Sequence, residues 1–301
     1  MAETDVAMKV WLKNKERFAD FFNGIVFDGE QVIKSEELED VDSEADIIVT
    51  DKAENTRPLQ RHRDIVMRWN GELSLAILAI ENQTDINHEM PVRVMLYDAL
   101  AYDQQIKNRV KTFGKYDTLY PVISIVFYYG SSPWDSNKDL YDMFKVISGH
   151  KLRDKLLRYT PNYKINLVEV VDFEAAEKFR TDLHMALGML KCGENQYKMA
   201  EYINENSVFF KSVKKDTIDA ITAMLRIDKI KEYIPNLKEG ESGDMCKAFN
   251  DMMDSAKEEG RAEREIIVVK NMLSRGFSVA DICAIAECTE DFVRNVENSM
   301  V

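Results

Sequence analysis

The sequence predicts an α/β core that is followed by an all-helical region. Two stretches, Tyr120–Tyr129 and Tyr163–Val171, are nearly continuous apolar runs, which is typical of buried strands. Stretches with helical periodicity lie before and between these runs, and no strand-like run follows Asp172. The order helix, paired strands, helix, strand, helix, strand indicates a layered α/β sandwich rather than a helical bundle.

The first predicted element is an amphipathic helix over Lys13–Asn23. Phe18, Phe21 and Phe22 recur along one stripe of it, and the Asn23-Gly24 pair predicts its end.

A β-hairpin is predicted next. Arg63–Trp69 and Leu73–Glu81 are rich in aliphatic and aromatic residues, and the Asn70-Gly71 pair between them is a strong signal for a two-residue turn. We therefore expect two antiparallel neighbours.

The remaining elements are mainly helical. Met90–Val110 has helical periodicity, and Pro91 suits its first turn. A chain of 301 residues exceeds the usual length of one domain. We therefore predict an α/β domain over residues 1–172 and a helical region over residues 173–301. Within the second region, the predicted helices are Phe173–Leu190, Gln196–Phe210, Thr217–Ile234 and Met245–Leu273.

The charge is unevenly distributed along the chain. The net charge of −13 disfavours non-specific binding to nucleic acid, which needs local lysine and arginine. Glu36–Asp46 is strongly acidic, and we expect a solvated loop there. Arg57, Arg61, Arg63 and Arg68 nevertheless form a local basic cluster that could contact phosphate.

Three polar residues mark the far ends of the predicted hairpin strands. Asp64 opens the first strand, and Glu81 and Gln83 close the second, where side chains two residues apart project from one face. Two carboxylates suit Mg²⁺, which takes one or two protein carboxylates and keeps several waters. Such an ion lowers the pKa of a bound water and neutralises charge on a phosphodiester, and the third residue would orient the water.

Solvated strand ends are the alternative interpretation of these residues. A charged side chain at the end of the very apolar run Leu75–Ile80 is costly, however, unless a metal or a partner meets it. The pattern therefore favours a metal site without excluding the simpler interpretation.

Several short motifs recur in consistent order over roughly the first 170 residues. Together they make the chain resemble the bacterial Rpn family of recombination-promoting nucleases, whose members also carry a transposase label. The motifs are Glu16–Asp20, Arg63–Val66, Leu78–Thr84, Met90–Arg93, Leu96–Asp98, Tyr120–Ile123, Tyr128–Gly130 and Pro133–Trp134.

The resemblance implies a PD-(D/E)XK restriction-endonuclease-like core, which is a mixed central sheet flanked by helices. It also implies metal-dependent DNA cleavage, with a role in recombination, mobile elements or defence against foreign DNA. Carried over by position, Asp64 is the metal-binding aspartate, Glu81 is the glutamate of the motif, and the backbone carbonyl of Asn82 is a further ligand. Gln83 takes the lysine position, and its neutral amide can orient water but supplies no charge. The expected ion is Mg²⁺, with Mn²⁺ or Ca²⁺ as substitutes.

Other polar residues near the motif are candidate helpers. Arg61, His62 and Arg63 are candidates for phosphate contacts, and His88 for phosphate binding or proton transfer. Gln104, late in the helix after the motif, is a candidate polar helper. Solvent-exposed surface positions are the alternative for His62, His88 and Gln104.

The C-terminal end has helix-turn-helix spacing over about residues 276–298. Ser278 and Thr289 are predicted N-caps. The second helix carries more acids than bases, which disfavours a DNA reader and favours helical packing or homo-oligomerisation.

Other functional classes lack their motifs. No phosphate-binding loop, dinucleotide fingerprint or serine-hydrolase elbow occurs, so no nucleotide cofactor is expected. The N-terminal stretch lacks a signal sequence and no apolar run could span a bilayer, so a cytoplasmic location without membrane association is expected. Cys283 and Cys288 are expected at buried helix positions, although pairing or metal binding stays open.

Two functions remain in competition. The first is a metal-dependent DNA endonuclease. The second is a nuclease-fold protein with weak or no catalysis that binds DNA or protein, since the acidic balance and the amide of Gln83 are compatible with lost chemistry.

Overall fold

The computed structural model describes residues 3–41, 44–50, 56–62, 64–71, 74–83, 85–108, 111–112, 115–116, 119–130, 132–144, 152–170, 176–193 and 195–300. For residues 3–5, 44–50, 56–62, 71, 74–79, 81–82, 108, 111–112, 115–116 and 176 the description covers the backbone only.

The described part of the chain contains helices throughout and strands mainly in its first half. The α-helices are α1 (Glu3–Leu12), α2 (Lys15–Val26), α3 (Met90–Asn108), α4 (Leu140–Met143), α5 (Arg153–Leu157), α6 (Leu183–Lys191), α7 (Gln196–Glu205), α8 (Ser207–Phe210), α9 (Lys215–Leu225), α10 (Met245–Ser274), α11 (Val279–Ala286) and α12 (Glu290–Asn298). Short 3₁₀ helices cover Ser35–Glu37, Ala176–Lys178 and Asp228–Tyr233.

The strands are β1 (Leu38–Asp40), β2 (Glu44–Thr50), β3 (Thr56–His62), β4 (Ile65–Gly71), β5 (Ser74–Gln83), β6 (Lys111–Thr112), β7 (Lys115–Tyr116), β8 (Val122–Tyr128), β9 (Asn166–Glu169), β10 (Val213–Lys214) and β11 (Ser242–Gly243). Five of them form a mixed sheet in the order β1-β4-β5-β8-β9. β1, β4 and β5 pair antiparallel, whereas β5, β8 and β9 pair parallel. The α/β core and a mainly helical C-terminal part are therefore confirmed. The prediction that this part is all-helical is wrong, because β10 and β11 pair within it as a two-stranded sheet.

Helices cover both faces of the mixed sheet. On one face, α2 packs Phe18, Phe21 and Phe22 into the same buried cluster as the strand residues Ile80 and Phe127. On the other face, α3 contributes Met90 and Val94 to a second cluster with Val126 and Tyr128. Alternation along β8 divides its residues between the two layers. We call the first layer the α2 face and the second the α3 face.

The α2 layer continues into the C-terminal helices. Its buried cluster extends from Met8 in α1 to Met252 in α10 and includes residues of α6, α7 and α9. Residues on both sides of position 172 thus share one hydrophobic core, and the domain boundary predicted there stays a prediction. A separate small cluster around Val269, Ile282 and Val293 joins the end of α10 to α11 and α12.

The predicted position of the hairpin turn is wrong. Asn70 pairs with Leu75 and Gly71 with Ser74, so the strand pairing continues through the predicted turn residues. Both turn-signal residues lie within β4, where continued pairing with β5 outweighs the local turn preference. This shift changes which residues face each other at the far end of the hairpin.

The acidic stretch is not simply a solvated loop. Its residues Leu38–Asp40 form the edge strand β1 against β4. Leu38 is buried, and the Trp69 indole donates a hydrogen bond of 2.9 Å to Glu37. This hydrogen bond is the main reason why the pKa of Glu37 lies below its usual value.

Several predicted helix ends also differ from the structure. Within the helix predicted over Phe173–Leu190, the described α-helix begins only at Leu183, and the helix predicted over Gln196–Phe210 is divided into α7 and α8. The predicted helix over Thr217–Ile234 ends at Leu225, because Arg226 takes a left-handed conformation with φ of 55°. The Asn23-Gly24 pair lies inside α2, which continues to Val26. The buried Asn23 side chain forms two hydrogen bonds with the backbone of Ile33. Its Nδ2 donates to the Ile33 carbonyl, and its Oδ1 accepts from the Ile33 amide, each at 2.8 Å.

Gly24 lies where helix α2 touches the buried ring of Phe179. A Cβ atom at position 24 would lie 2.2 Å from Phe179 Cε1. We therefore expect Gly24→Ala to lower the free energy of unfolding in urea by about 1 kcal/mol or more, since overpacking costs about 1–3 kcal/mol and the helix-propensity gain is at most about 1 kcal/mol.

Gly260 provides the matched control for this substitution. It lies within α10, and an added Cβ would meet no atom within 4 Å. Gly260→Ala should raise the free energy of unfolding by about 0.5–1 kcal/mol. Equal effects at the two positions would contradict the close contact between α2 and Phe179.

Candidate functional site

The candidate site lies where strand β4 begins and strand β5 ends. Ile65 pairs with Ile80, so the next step of this antiparallel ladder places Asp64 level with Glu81. Opposite residues in such a ladder have Cα atoms about 4.5–5.5 Å apart. With the turn at Asn70-Gly71, Asp64 would instead be level with Ile77. The observed register therefore brings the two predicted acids together, although the predicted turn does not.

All three predicted site residues occupy positions on the α3 face. Ile65 and Ile80 belong to the cluster on the α2 face, so the neighbouring positions 64 and 81 fall on the opposite one. Position 81 is in register with Val126, and position 83 with Tyr128, which are both in the α3 cluster. The side chains of Asp64 and Gln83 are partly exposed, and that of Glu81 lies outside the described side chains.

The remaining predicted helpers are less fully described. Arg61 and His62 end strand β3 next to the site, but only their backbone is described, and Arg63 lies outside the described residues. Asn82 is in register with Phe127, and again only its backbone is described. Gln104 is exposed on α3.

The two loops that follow β5 and β8 are fastened together beside the site. His88 Nδ1 lies 2.7 Å from Ser136 Oγ, and Asn137 Nδ2 donates to the backbone carbonyl of His88 at 2.9 Å. This contact fixes the His88 ring near the ends of the parallel strands. Its proposed role in phosphate binding or proton transfer stays a prediction.

A row of polar side chains crosses the ends of the three parallel strands. Gln83 is in register with Tyr128, and Tyr128 with Glu169 of β9. Glu169 is largely buried and accepts hydrogen bonds from the Trp134 backbone at 2.7 Å and from Lys138 Nζ at 3.3 Å. Glu169 was not among the site residues predicted from the sequence. Its signal is an acid within the apolar run Tyr163–Val171, at the end of β9.

Three carboxylates act on Tyr128 at this edge of the sheet. The pKa of the Tyr128 hydroxyl is raised, first by burial and then by the charges of Glu169, Asp85 and Asp135. Asp85 and Asp135 are exposed in the loops after β5 and β8. An edge with this charge attracts a cation and repels a phosphodiester that arrives without one.

A second buried carboxylate lies on the α3 face. Asp98 is 6% exposed, and Ser124 Oγ donates to its Oδ1 at 2.5 Å while the Tyr163 hydroxyl donates to its Oδ2. Ser124 is in register with Ala79, two residues before Glu81. Asp98 thus fixes α3 on the sheet close to the site. The sequence signal is an acid within the apolar stripe of α3, four residues after Val94.

Metal-binding geometry is not complete among the described side chains. No group of three or more histidine, cysteine, aspartate or glutamate side chains in the described part of the chain is arranged to hold a metal ion. The donor set of the candidate site includes Glu81, whose side chain is outside that part. Two carboxylates and an amide at one sheet edge nevertheless match the hard oxygen ligands that Mg²⁺ takes.

The C-terminal helices have the predicted caps. Ser278 accepts from the Asp281 backbone at 3.2 Å, and Thr289 accepts from Phe292 at 3.3 Å. The exposed residues of α12 are Glu290, Asp291, Arg294, Asn295, Glu297 and Asn298, and Arg294 lies 3.6 Å from Glu290. This surface is acidic, as expected for a helix that does not read DNA. Self-association through these helices stays a prediction.

All four cysteines are free thiols, and Cys283 and Cys288 pack beside the small C-terminal cluster. Within the described residues, no helix combines the length and the apolar character needed to cross a bilayer.

Residues 69–219, half of the chain, match the model of a protein family that is described as "Putative transposase, YhgA-like". The match begins within β4 and ends within α9, so it includes β5 with Glu81 and Gln83 and begins after Asp64. No curated protein and no solved structure matches the chain.

Proposed function

We propose, on the premise that the chain belongs to the YhgA-like transposase family, that it is a divalent-metal-dependent DNA endonuclease with a PD-(D/E)XK-type core. The observation that carries this proposal is the register of β4 and β5, which puts Asp64 level with Glu81 and leaves Gln83 two residues further along. The mixed sheet between α2 and α3 is compatible with that core.

In the proposed reaction, Asp64 and Glu81 would hold the metal ion, together with the backbone carbonyl of Asn82. The bound ion would supply an activated water and neutralise charge on the phosphodiester. Gln83 orients the attacking water through its amide and neither carries charge nor readily accepts a proton. Arg61, His62 and Arg63 are the proposed phosphate contacts, since they directly precede Asp64.

The negative edge of the sheet supports a need for the metal. Asp85, Asp135 and Glu169 act on Tyr128, which is the strand neighbour of Gln83. A phosphodiester approaching this edge gains little unless a divalent cation offsets the carboxylates.

The proposal is tested by incubating the purified chain with supercoiled plasmid and Mg²⁺, Mn²⁺ or Ca²⁺, with a chelator in parallel. Nicking should require the metal and should be lost in Asp64→Ala and Glu81→Ala. Equal nicking by wild type and both variants would contradict the site assignment.

The second candidate, a nuclease-fold binding protein without catalysis, is favoured by the neutral amide of Gln83 and by the acidic edge. Titration with Mn²⁺ separates the two. A binding protein should show no Mn²⁺ affinity that depends on Asp64, whereas the endonuclease should lose that affinity in Asp64→Ala.

A further inference from the structure

The segment from Leu152 to Lys164 differs in charge from the rest of the chain. It contains Arg153, Lys155, Arg158 and Lys164 but only one acid, Asp154, in a protein with a net charge of −13. Arg153 lies 3.9 Å from Asp154. Among the described residues, no carboxylate lies within ion-pair distance of Lys155 or Arg158. These two exposed cations are therefore available to a negatively charged partner.

An exposed aromatic residue directly follows these cations in the sequence. Tyr159 is 91% exposed, whereas most aromatic side chains of the central sheet are buried. Leu156, three residues earlier, is 57% exposed. A tyrosine ring in this position presents a flat apolar face to solvent beside two positive charges, which is the combination that single-stranded nucleic acid binds: phosphates contact the cations and a base stacks on the ring.

The backbone that carries Tyr159 is firmly held. The Tyr141 hydroxyl oxygen lies 2.8 Å from the carbonyl oxygen of Leu157 and 2.6 Å from that of Thr160, on either side of the exposed tyrosine, and its one proton is shared between these acceptors. Tyr159 N and Thr160 Oγ1 both donate to the carbonyl of Leu156, each at 3.1 Å. Because the turn is already ordered, little backbone entropy is lost when a ligand binds to the ring.

The segment is attached to the layer that holds the candidate site. The Tyr163 hydroxyl donates to Asp98 of α3, and Tyr163 and Ile165 pack against the cluster of Val126 and Tyr128. Positions 81 and 83 are in register with these last two residues. The end of the basic segment is therefore anchored on the face of the sheet that carries the proposed catalytic edge.

We infer that Lys155, Arg158 and Tyr159 form a binding surface for unpaired DNA, so that the substrates of the proposed endonuclease contain a single-stranded stretch beside the cleaved bond. This inference rests on the proposed function and adds its substrate class. Stacking on Tyr159 selects unpaired bases, since the bases of a duplex are stacked on each other and do not offer their faces. The two cations contribute affinity without sequence preference.

The inference is tested by fluorescence anisotropy with a labelled single strand of about 16 thymidines and a duplex of equal length, in EDTA so that no cleavage occurs. Tyr159→Ala should weaken binding of the single strand by roughly tenfold to a hundredfold and leave duplex binding within about twofold. Lys155→Gln with Arg158→Gln should reduce the slope of log K against log salt by about 1.4 for the single strand.

Tyr197 is the matched control, because it is 76% exposed on the surface of helix α7. Tyr197→Ala should bind the single strand as the wild type does, and thermal unfolding should show that both tyrosine variants are folded. Equal single-strand affinity of Tyr159→Ala and Tyr197→Ala would overturn the inference, as would an equal loss for single strand and duplex.

The binding assay and the plasmid assay can fail independently. Binding that depends on Tyr159, without metal-dependent cleavage of either the plasmid or a duplex that contains a single-stranded gap, would support the surface and refute the endonuclease. Nicking that depends on Asp64, with single-strand binding unchanged in Tyr159→Ala, would support the endonuclease and refute the surface.

Discussion

Asp64→Asn is expected to slow metal-dependent plasmid nicking by roughly a thousandfold, because metal-ion stabilisation of the transition state is worth several kcal/mol and about 4 kcal/mol corresponds to that factor. Asparagine has the same size as aspartate and keeps an acceptor oxygen, but it has no negative charge. Asp64 is partly exposed at the start of β4, so the substitution should leave the fold intact. The effect therefore reports the charge at position 64.

The rate is measured under single turnover as the conversion of supercoiled into nicked plasmid, and Mn²⁺ binding is measured by calorimetry. Asp103→Asn is the matched control. Asp103 is an exposed aspartate of α3 that forms an ion pair of 2.6 Å with Lys107. It should retain the wild-type rate. A rate within fivefold of wild type for Asp64→Asn, or unchanged Mn²⁺ affinity, would contradict the role of Asp64.

Arg17→Met should lower the free energy of unfolding by about 3 kcal/mol, since removal of one partner of a buried ion pair leaves uncompensated charge. Arg17 is 5% exposed and binds Asp182 through Nε at 2.7 Å and Nη2 at 2.8 Å. Its Nη1 donates to Asp216 at 2.7 Å and to the Trp11 carbonyl at 3.3 Å. One side chain of α2 thus connects α1, α6 and α9.

The measurement is urea unfolding at neutral pH, with Arg294→Met as control. Arg294 pairs with Glu290 at 3.6 Å on the exposed surface of α12, where such pairs contribute less than about 1 kcal/mol. If Arg17→Met lowered the free energy of unfolding by less than about 1 kcal/mol, the hydrogen bonds and ion pairs of Arg17 would not contribute substantially to stability.

The Arg17 network also makes the free energy of unfolding depend on pH. Burial raises the pKa of Asp216, but the hydrogen bond and the charge of Arg17 outweigh burial, so its pKa lies below the usual value. A lowered folded-state pKa contributes stability above the ordinary aspartate pKa of about 3.9, and this contribution is lost as the pH falls through the folded-state value. Arg17→Met should therefore lose less stability than wild type between pH 5 and about pH 3.

The sequence predicts the existence of the hairpin more reliably than its register. Apolar runs on either side of residues 70–73 indicate two paired strands, but the Asn70-Gly71 signal places the turn too early. A turn preference is local, whereas the register depends on which side chains of β4 and β5 enter the α2 cluster. Asp64 and Glu81 are found by their strand-end positions, and only the pairing puts them level.

Residues that act across the fold were not predictable from local patterns. Asp98 depends on Ser124 and Tyr163, which are far apart in the sequence. Arg17 likewise depends on Asp182 and Asp216. By contrast, helix α10 was predicted as Met245–Leu273 and ends at Ser274, because its pattern and its cap are local.

The long helix α10 determines the orientation of the C-terminal cluster. Every residue from 256 to 265 is exposed, so this part of the helix is a spacer between two hydrophobic clusters and spans about 15 Å. An α-helix rotates by about 100° for each residue. One residue inserted into the spacer would therefore turn α11 and α12 by more than a right angle about the helix axis. Insertion of seven residues would restore their direction to within about 20° and place them about 10 Å further away.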